Sequence, residues 1–148
     1  MSANATEVSL QLSNGLNIRG LSWGNADQPK ILALHGWLDN AATYANLGAM
    51  LGDYYHVVAM DFAGHGLSGH RPDGVRYHLL DNIDDVILFA DALGWDSFYL
   101  MGHSMGAGVS TYTSACFPRA DSCLDSTRRH WYLHDTGSGR SSGVAQGY

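Results

Sequence analysis

Apolar and polar positions follow two rhythms along this chain, and the rhythm switches where turn residues cluster. Residues 8–12 alternate with a period of two and predict a strand, and Asn14-Gly15 behind them is a strong hairpin-turn signal. Residues 16–23 predict the returning strand, closed by Gly24-Asn25. Residues 30–35 (Lys-Ile-Leu-Ala-Leu-His) are short and nearly all apolar, as expected of a strand buried on both faces. Residues 55–60 repeat that pattern up to Asp61, and residues 98–101 repeat it again. Between these runs the spacing turns helical. Asp39 or Asn40 can cap a helix that runs to about Leu51, with Tyr44, Leu47 and Leu51 on one side. Residues 79–93 carry the strongest helical signal: Ile83, Val86, Ile87, Ala90 and Leu93 recur at helical spacing, and Gly94 stops the run. A last helix is expected from Ser104 to about Cys116. A hairpin followed by alternating strands and helices predicts an α/β fold, with a mostly parallel sheet flanked by helices.

The pattern dissolves after Phe117-Pro118. Residues 119–148 are poor in apolar positions and end in a Gly/Ser-rich run, so they predict a poorly ordered tail behind a folded unit of residues 1–118. Composition narrows the class without naming a function. With 148 residues, 45% hydrophobic and 15% charged, the chain suits one globular domain. A net charge of −6 offers no electrostatic footprint for nucleic acid or for an anionic membrane surface. Neither a signal-peptide core nor an apolar stretch of membrane-spanning length is present in the sequence. Cys116 and Cys123 can pair, but two cysteines do not make a disulfide framework, so a reducing cytoplasmic setting is the expectation. No His/Cys/Asp spacing resembles a metal site, and no cofactor is expected.

Candidate chemistry concentrates where the third apolar strand meets the last helix. Gly102-His103-Ser104-Met105-Gly106 is a G-x-S-x-G in strand-to-helix context, the setting in which a tight turn lifts a serine hydroxyl above the sheet edge. A second copy, Gly139-Arg140-Ser141-Ser142-Gly143, lacks that context and is set aside. Ser104 is therefore the candidate nucleophile. An acyl-transfer site also needs backbone N–H donors aimed at the developing oxyanion. Met105, the residue after the nucleophile, supplies one, and the loop His35-Gly36-Trp37 after the first buried strand supplies the other. Asp61 and His65 lie in a glycine-rich loop and take a structural reading: the Asp61 carboxylate can accept loop amides. His70, Arg71 and the Asp84-Asp85 pair read as solvated surface. His103, beside the nucleophile, is not expected to be its base. Asp125, His130, His134 and Asp135 resemble an acid/base set, but a Gly/Ser-rich tail gives them no rigid scaffold.

These stretches resemble the α/β-hydrolase family over roughly residues 8–118, and within it the serine hydrolase-like proteins. The resemblance is carried by Leu34-His35-Gly36-Trp37-Leu38-Asp39-Asn40, by Asp61-Phe62-Ala63-Gly64-His65-Gly66-Leu67-Ser68, and by Gly102-His103-Ser104-Met105-Gly106. It implies the α/β-hydrolase fold in incomplete form and an esterase-like activity on a small-molecule acyl substrate. It assigns the nucleophile to Ser104 and the oxyanion amides to Trp37 and Met105. A triad acid and base, which such enzymes place downstream of the nucleophile, are not recognisable after Pro118. The expectation is therefore a truncated and inactive chain. An out-of-frame tail is one hypothesis for it, since codons exist for residues 132–148 whose neighbouring frame encodes a helix-like segment. Without a further strand, residues 98–101 would form an uncovered edge inviting self-association. A non-catalytic fragment, a pseudo-enzyme and a cofactor-free haloperoxidase-like relative remain open beside the hydrolase.

Overall fold

The computed structural model describes residues 5–117 and 120–121. Strands β1 (Thr6–Gln11) and β2 (Asn17–Trp23) form the expected antiparallel hairpin. Behind it come β3 (Lys30–Leu34), helix α1 (Ala45–Leu51), β4 (His56–Met60), α2 (Asp81–Ala92), β5 (Phe98–Gly102), α3 (Met105–Cys116) and a two-residue β6 (Ala120–Asp121). One sheet holds all six strands in the order β1-β2-β4-β3-β5-β6. The three contacts among β4, β3, β5 and β6 are parallel, and the two that join the hairpin are antiparallel.

Alternation along the central strands sorts their side chains onto two faces. Leu32, Leu34, Val58, Met60, Phe98 and Leu100 point to the side covered by α2 and α3, where Val86, Phe89, Ala90 and Val109 complete the larger core. Ile31, Ala33, Val57, Ala59 and Met101 point the other way and pack with Trp23, Tyr44 and Leu47 beneath α1. A sheet buried on both sides explains why β3, β4 and β5 read as continuous apolar runs.

Helix ends depart slightly from the periodic signal. The first helix opens as a 3-10 turn, Ala41–Tyr44, in which the Asn40 side chain accepts from the Ala42 N–H; Asn40, not Asp39, is the cap. The α2 helix begins at Asp81 rather than 79, because the Asp81 carboxylate accepts the His78 N–H and shapes a turn before the first helical residue. Leu93 caps its far end and Gly94 follows at φ +72°, as the glycine stop predicts.

One expectation meets the structure only in part and another needs correction. On the edge expected to be uncovered, residues 98–101, β6 pairs Phe98 and Tyr99 in parallel and stops short of Leu100 and Met101. A two-residue strand has no periodicity to read, so the pattern could not announce it. Arg71 and Asp85 were expected on solvated surface, yet the Asp85 side chain is only 1% exposed and that of Arg71 13%. They form an ion pair, described below. Cys116 lies exposed at the end of α3. Cys123, Asp125, His130, His134, Asp135 and the second G-x-S-x-G lie outside the described residues. No helix among the described residues is long and apolar enough to cross a membrane.

Candidate active site

Ser104 sits between the carboxyl end of β5 and the first turn of α3, with φ 53° and ψ −116°. A non-glycine residue in that left-handed conformation stores on the order of 1–3 kcal/mol, and surrounding packing must hold it there. The packing is explicit. The Ser104 carbonyl accepts the N–H groups of Ala107 and Gly108, and the His103 carbonyl accepts that of Gly106. The His103 N–H donates across to the Leu34 carbonyl at the end of β3. Gly106 lies so close to β3 that an added Cβ would stand 2.0 Å from the Leu34 carbonyl oxygen. Only glycine fits there, which is the physical content of the last position of the motif.

The loop after β3 meets Ser104 directly. A Cβ on Gly36 would stand 3.4 Å from the Ser104 Cβ, so the two residues lie side by side with little room for a side chain between them. His35, fully buried, aims the loop. Its Nδ1 lies 2.7 Å from the Gly36 carbonyl oxygen, and its Nε2 accepts the Phe62 N–H at 3.1 Å. Because Nε2 must accept, the ring is neutral with its proton on Nδ1. Burial holds its pKa below the ordinary histidine value, consistent with that state. The Gly36 carbonyl also accepts the Asp39 N–H, closing a turn with Leu38 at φ 56°. In a trans peptide the N–H points opposite the C=O. Tying the Gly36 carbonyl to His35 and Asp39 therefore turns the Trp37 N–H the other way. Met105 opens α3, so its N–H has no carbonyl four residues back to bond. The structure thus gathers the three predicted residues, Ser104, Trp37 and Met105, at one end of the sheet.

Asp61 ties the second loop to this arrangement, as its structural reading anticipated. It is 5% exposed; one carboxylate oxygen accepts the Ala41 N–H at 2.6 Å and the other the Leu67 N–H at 2.9 Å. His65 packs edge-on to both Trp37 and Phe62 and lies 5.2 Å from the His35 ring. His103 is exposed with its ring beside Gly36, and His56 stands at the opposite end of the sheet, its Nε2 3.1 Å from the Ser22 hydroxyl. Among the described residues no group of three His, Cys, Asp or Glu side chains could hold a metal ion.

A cavity of about 270 Å³ opens between Trp37, His65, Tyr77, His78, Leu79 and Met105. A slightly larger one, about 320 Å³, lies by Arg19, Asn40 and Leu67; Ser104 lines neither cavity, and only the smaller one is lined by Trp37 and by Met105, the residue after the serine. The smaller cavity is the candidate substrate site. Tyr77, His78 and Leu79 had no role in the sequence reading, and His65 only a structural one. They lie in or beside loops leaving the carboxyl ends of parallel strands, where ligands bind in open α/β sheets, and that placement was the available signal.

Comparison with known proteins agrees with this geometry. A family model described as the alpha/beta hydrolase fold matches residues 29–123. A serine hydrolase-like protein of Dictyostelium discoideum is 41% identical over 128 residues, covering 83% of this chain and 36% of that protein. Human serine hydrolase-like protein 2 is 39% identical over 123 residues, covering 80% and 39% respectively. The crystal structure of a hypothetical protein from Pseudomonas aeruginosa superposes with a TM-score of 0.73 at 42% identity, over 78% of this chain and 41% of that one. The chain thus spans well under half the length of each of these three proteins. With a family model covering residues 29–123 and a serine in the strand-to-helix bend that the fold provides, the chain belongs to the α/β-hydrolase family.

Proposed function

We propose that this chain carries the nucleophile and oxyanion-binding half of a serine hydrolase acting on carboxylic esters or similar acyl bonds. The reading rests on one observation above all: the left-handed backbone of Ser104 at a strand–helix junction, packed against the Gly36-Trp37 loop. The serine hydrolase-like names of the relatives favour the same class. In the reaction, Ser104 Oγ attacks the acyl carbon, and the oxyanion forms between the N–H groups of Trp37 and Met105. The carbon–oxygen bond to the alcohol then breaks, the alkoxide takes the proton that the serine hydroxyl gives up, and the acyl group stays on Ser104. Water attacks that ester in turn, releasing the acid and restoring the hydroxyl. A single oxyanion donor is worth about 10²–10³ in rate.

No general acid or base is assigned among the described residues. Both ring nitrogens of His35 are committed to backbone groups, and His56 lies at the far end of the sheet. An oxyanion hole and binding alone account for about 10³–10⁴ of the acceleration over water. The described residues are therefore proposed to support acylation by an activated ester, with slow turnover.

Exposure to p-nitrophenyl acetate, followed by mass analysis of the peptide containing Ser104, tests this. The expected result is one acetyl group per chain on Ser104, absent in Ser104→Ala, with little further p-nitrophenolate released. Acetylation elsewhere, equal in Ser104→Ala, overturns the nucleophile assignment. Steady turnover near the ~10 s⁻¹ typical of complete enzymes overturns the claim of slow turnover.

A further inference from the structure

Residues 69–80 have no regular secondary structure, and their Tyr77, His78 and Leu79 line the candidate site. The Gly69 N–H on the Asn17 carbonyl and the His78 N–H on Asp81 tie their ends, and Arg71 anchors them between. There the Arg71 guanidinium pairs with the Asp85 carboxylate on α2, and the second Asp85 oxygen accepts the Asn14 side chain from the β1–β2 turn at 3.2 Å. The Asp81 carboxylate lies 4.0 Å from Arg71 Nε. Arg71 also holds Tyr77. Its backbone N–H donates to the Tyr77 hydroxyl at 2.8 Å, and its guanidinium carbon lies 5.7 Å from the ring centroid. The Tyr77 ring in turn packs over Gly64, where a Cβ would stand 3.0 Å away. Its hydroxyl is engaged with backbone, so the ring offers the cavity an apolar wall.

We propose that Tyr77 determines the size of the acyl group this site accepts, closing the cavity to long chains, and that Arg71 is its positioning residue through the buried pair with Asp85. The inference rests on the acyl-transfer reading above and deepens it. The preferred substrates are short or single-ring acyl groups. A cavity of about 270 Å³ beside Met105 lies at the lower edge of the roughly 300–1,000 Å³ usual for small-molecule sites. Its flanks are the aromatic faces and edges of Trp37, His65 and Tyr77. Asp85 is otherwise unexplained: a carboxylate this deeply buried is retained only where it is paired and hydrogen-bonded.

The test compares Ser104 acylation by p-nitrophenyl acetate and p-nitrophenyl hexanoate in the wild-type and Tyr77→Ala chains. Each methylene that gains burial is worth a factor of about four. Tyr77→Ala is expected to raise the hexanoyl-to-acetyl rate ratio at least about tenfold; Tyr77 is half-exposed, so folding is not at stake. The double variant Arg71→Met/Asp85→Leu, which leaves no unpaired buried charge, is expected to shift the ratio the same way and, by loosening the segment around the already exposed Arg76, to speed tryptic cleavage there. Arg71→Lys should return the ratio toward wild type. A ratio within about twofold of wild type in Tyr77→Ala overturns the role of Tyr77, and the same result in the double variant overturns that of Arg71. If Ser104 accepts neither acyl group, the acyl-transfer reading fails by itself. Acetamide and hexanamide binding, followed at the Trp37 indole N–H by nuclear magnetic resonance, then decides. A hexanamide preference that rises in Tyr77→Ala supports the size limit, and an unchanged preference refutes it.

Discussion

Gly106→Ala and Gly108→Ala differ by two positions in one helix and should move stability in opposite directions. At Gly106 the new Cβ would stand 2.0 Å from the Leu34 carbonyl oxygen, 2.5 Å from its carbon and 2.7 Å from the His35 carbonyl oxygen. Ordinary carbon–oxygen contacts are about 3.3–3.6 Å, so α3 and the end of β3 must separate by more than about 1 Å. Every atom in the way is backbone, and none can rotate aside. The Leu34 carbonyl also accepts the His103 N–H at 3.1 Å and the Tyr44 hydroxyl at 2.8 Å, and both bonds are strained or lost when it moves. Overpacking costs about 1–3 kcal/mol. Two weakened hydrogen bonds add about 0.5–1.5 kcal/mol each, so the sum is about 2–6 kcal/mol. At Gly108 nothing lies within 4 Å of a new Cβ, and the residue is inside α3. Alanine there should stabilise by about 0.5–1 kcal/mol through lower unfolded-state entropy. Urea unfolding followed by circular dichroism should separate the two variants by about 2.5 kcal/mol or more. If Gly106→Ala is as stable as wild type, Ser104 is not held against β3 as described. If Gly108→Ala loses as much as Gly106→Ala, the effect is general to the helix and the close-approach argument fails.

Two further outcomes follow from the buried polar groups of the loops. Burial holds the His35 pKa below the unfolded value of about 6.5, so the unfolded chain takes up a proton that the folded one refuses. The stabilising contribution is complete above about pH 6.5 and declines as pH falls toward the folded value, with a slope of at most about 1.4 kcal/mol per pH unit for one group. His35→Gln should flatten the dependence of the urea midpoint between pH 7.5 and 5 without abolishing it, because His56 is shifted in the same direction, chiefly by burial. An unaltered slope in His35→Gln would remove His35 from this account. Asp61→Ala leaves the Ala41 and Leu67 N–H groups without their carboxylate partner and should cost about 3 kcal/mol or more, with Asp61→Asn losing less. A loss under about 1 kcal/mol for Asp61→Ala, by the same unfolding assay, would show that the carboxylate is not what ties the two loops together.

Short-range pattern determined a great deal here. The hairpin came from a period of two and its asparagine-glycine turn, the three buried parallel strands from short apolar runs and the helices from a period of 3.6, and their limits moved by only a residue or two. The place of Ser104 was legible because its motif lies between a strand and a helix, and those of Trp37 and Met105 because each follows a strand end by three residues, while their oxyanion roles belong to the proposal. Tertiary structure alone decided which solvated-looking residues are buried. Asp84-Asp85 reads as two charges on a helix, and nothing local reveals that the second meets Arg71, fourteen residues earlier, and Asn14, in a hairpin placed there by the strand order. His35 looked like an ordinary strand end until both of its nitrogens found backbone partners, one of them 27 residues away. Tyr77 lies in a stretch without periodicity, so only its packing over Gly64 places it at the cavity. Side-chain burial by period is a property of neighbours along the chain, whereas ion pairs, ring tautomers and cavity walls depend on which distant segments the sheet brings together.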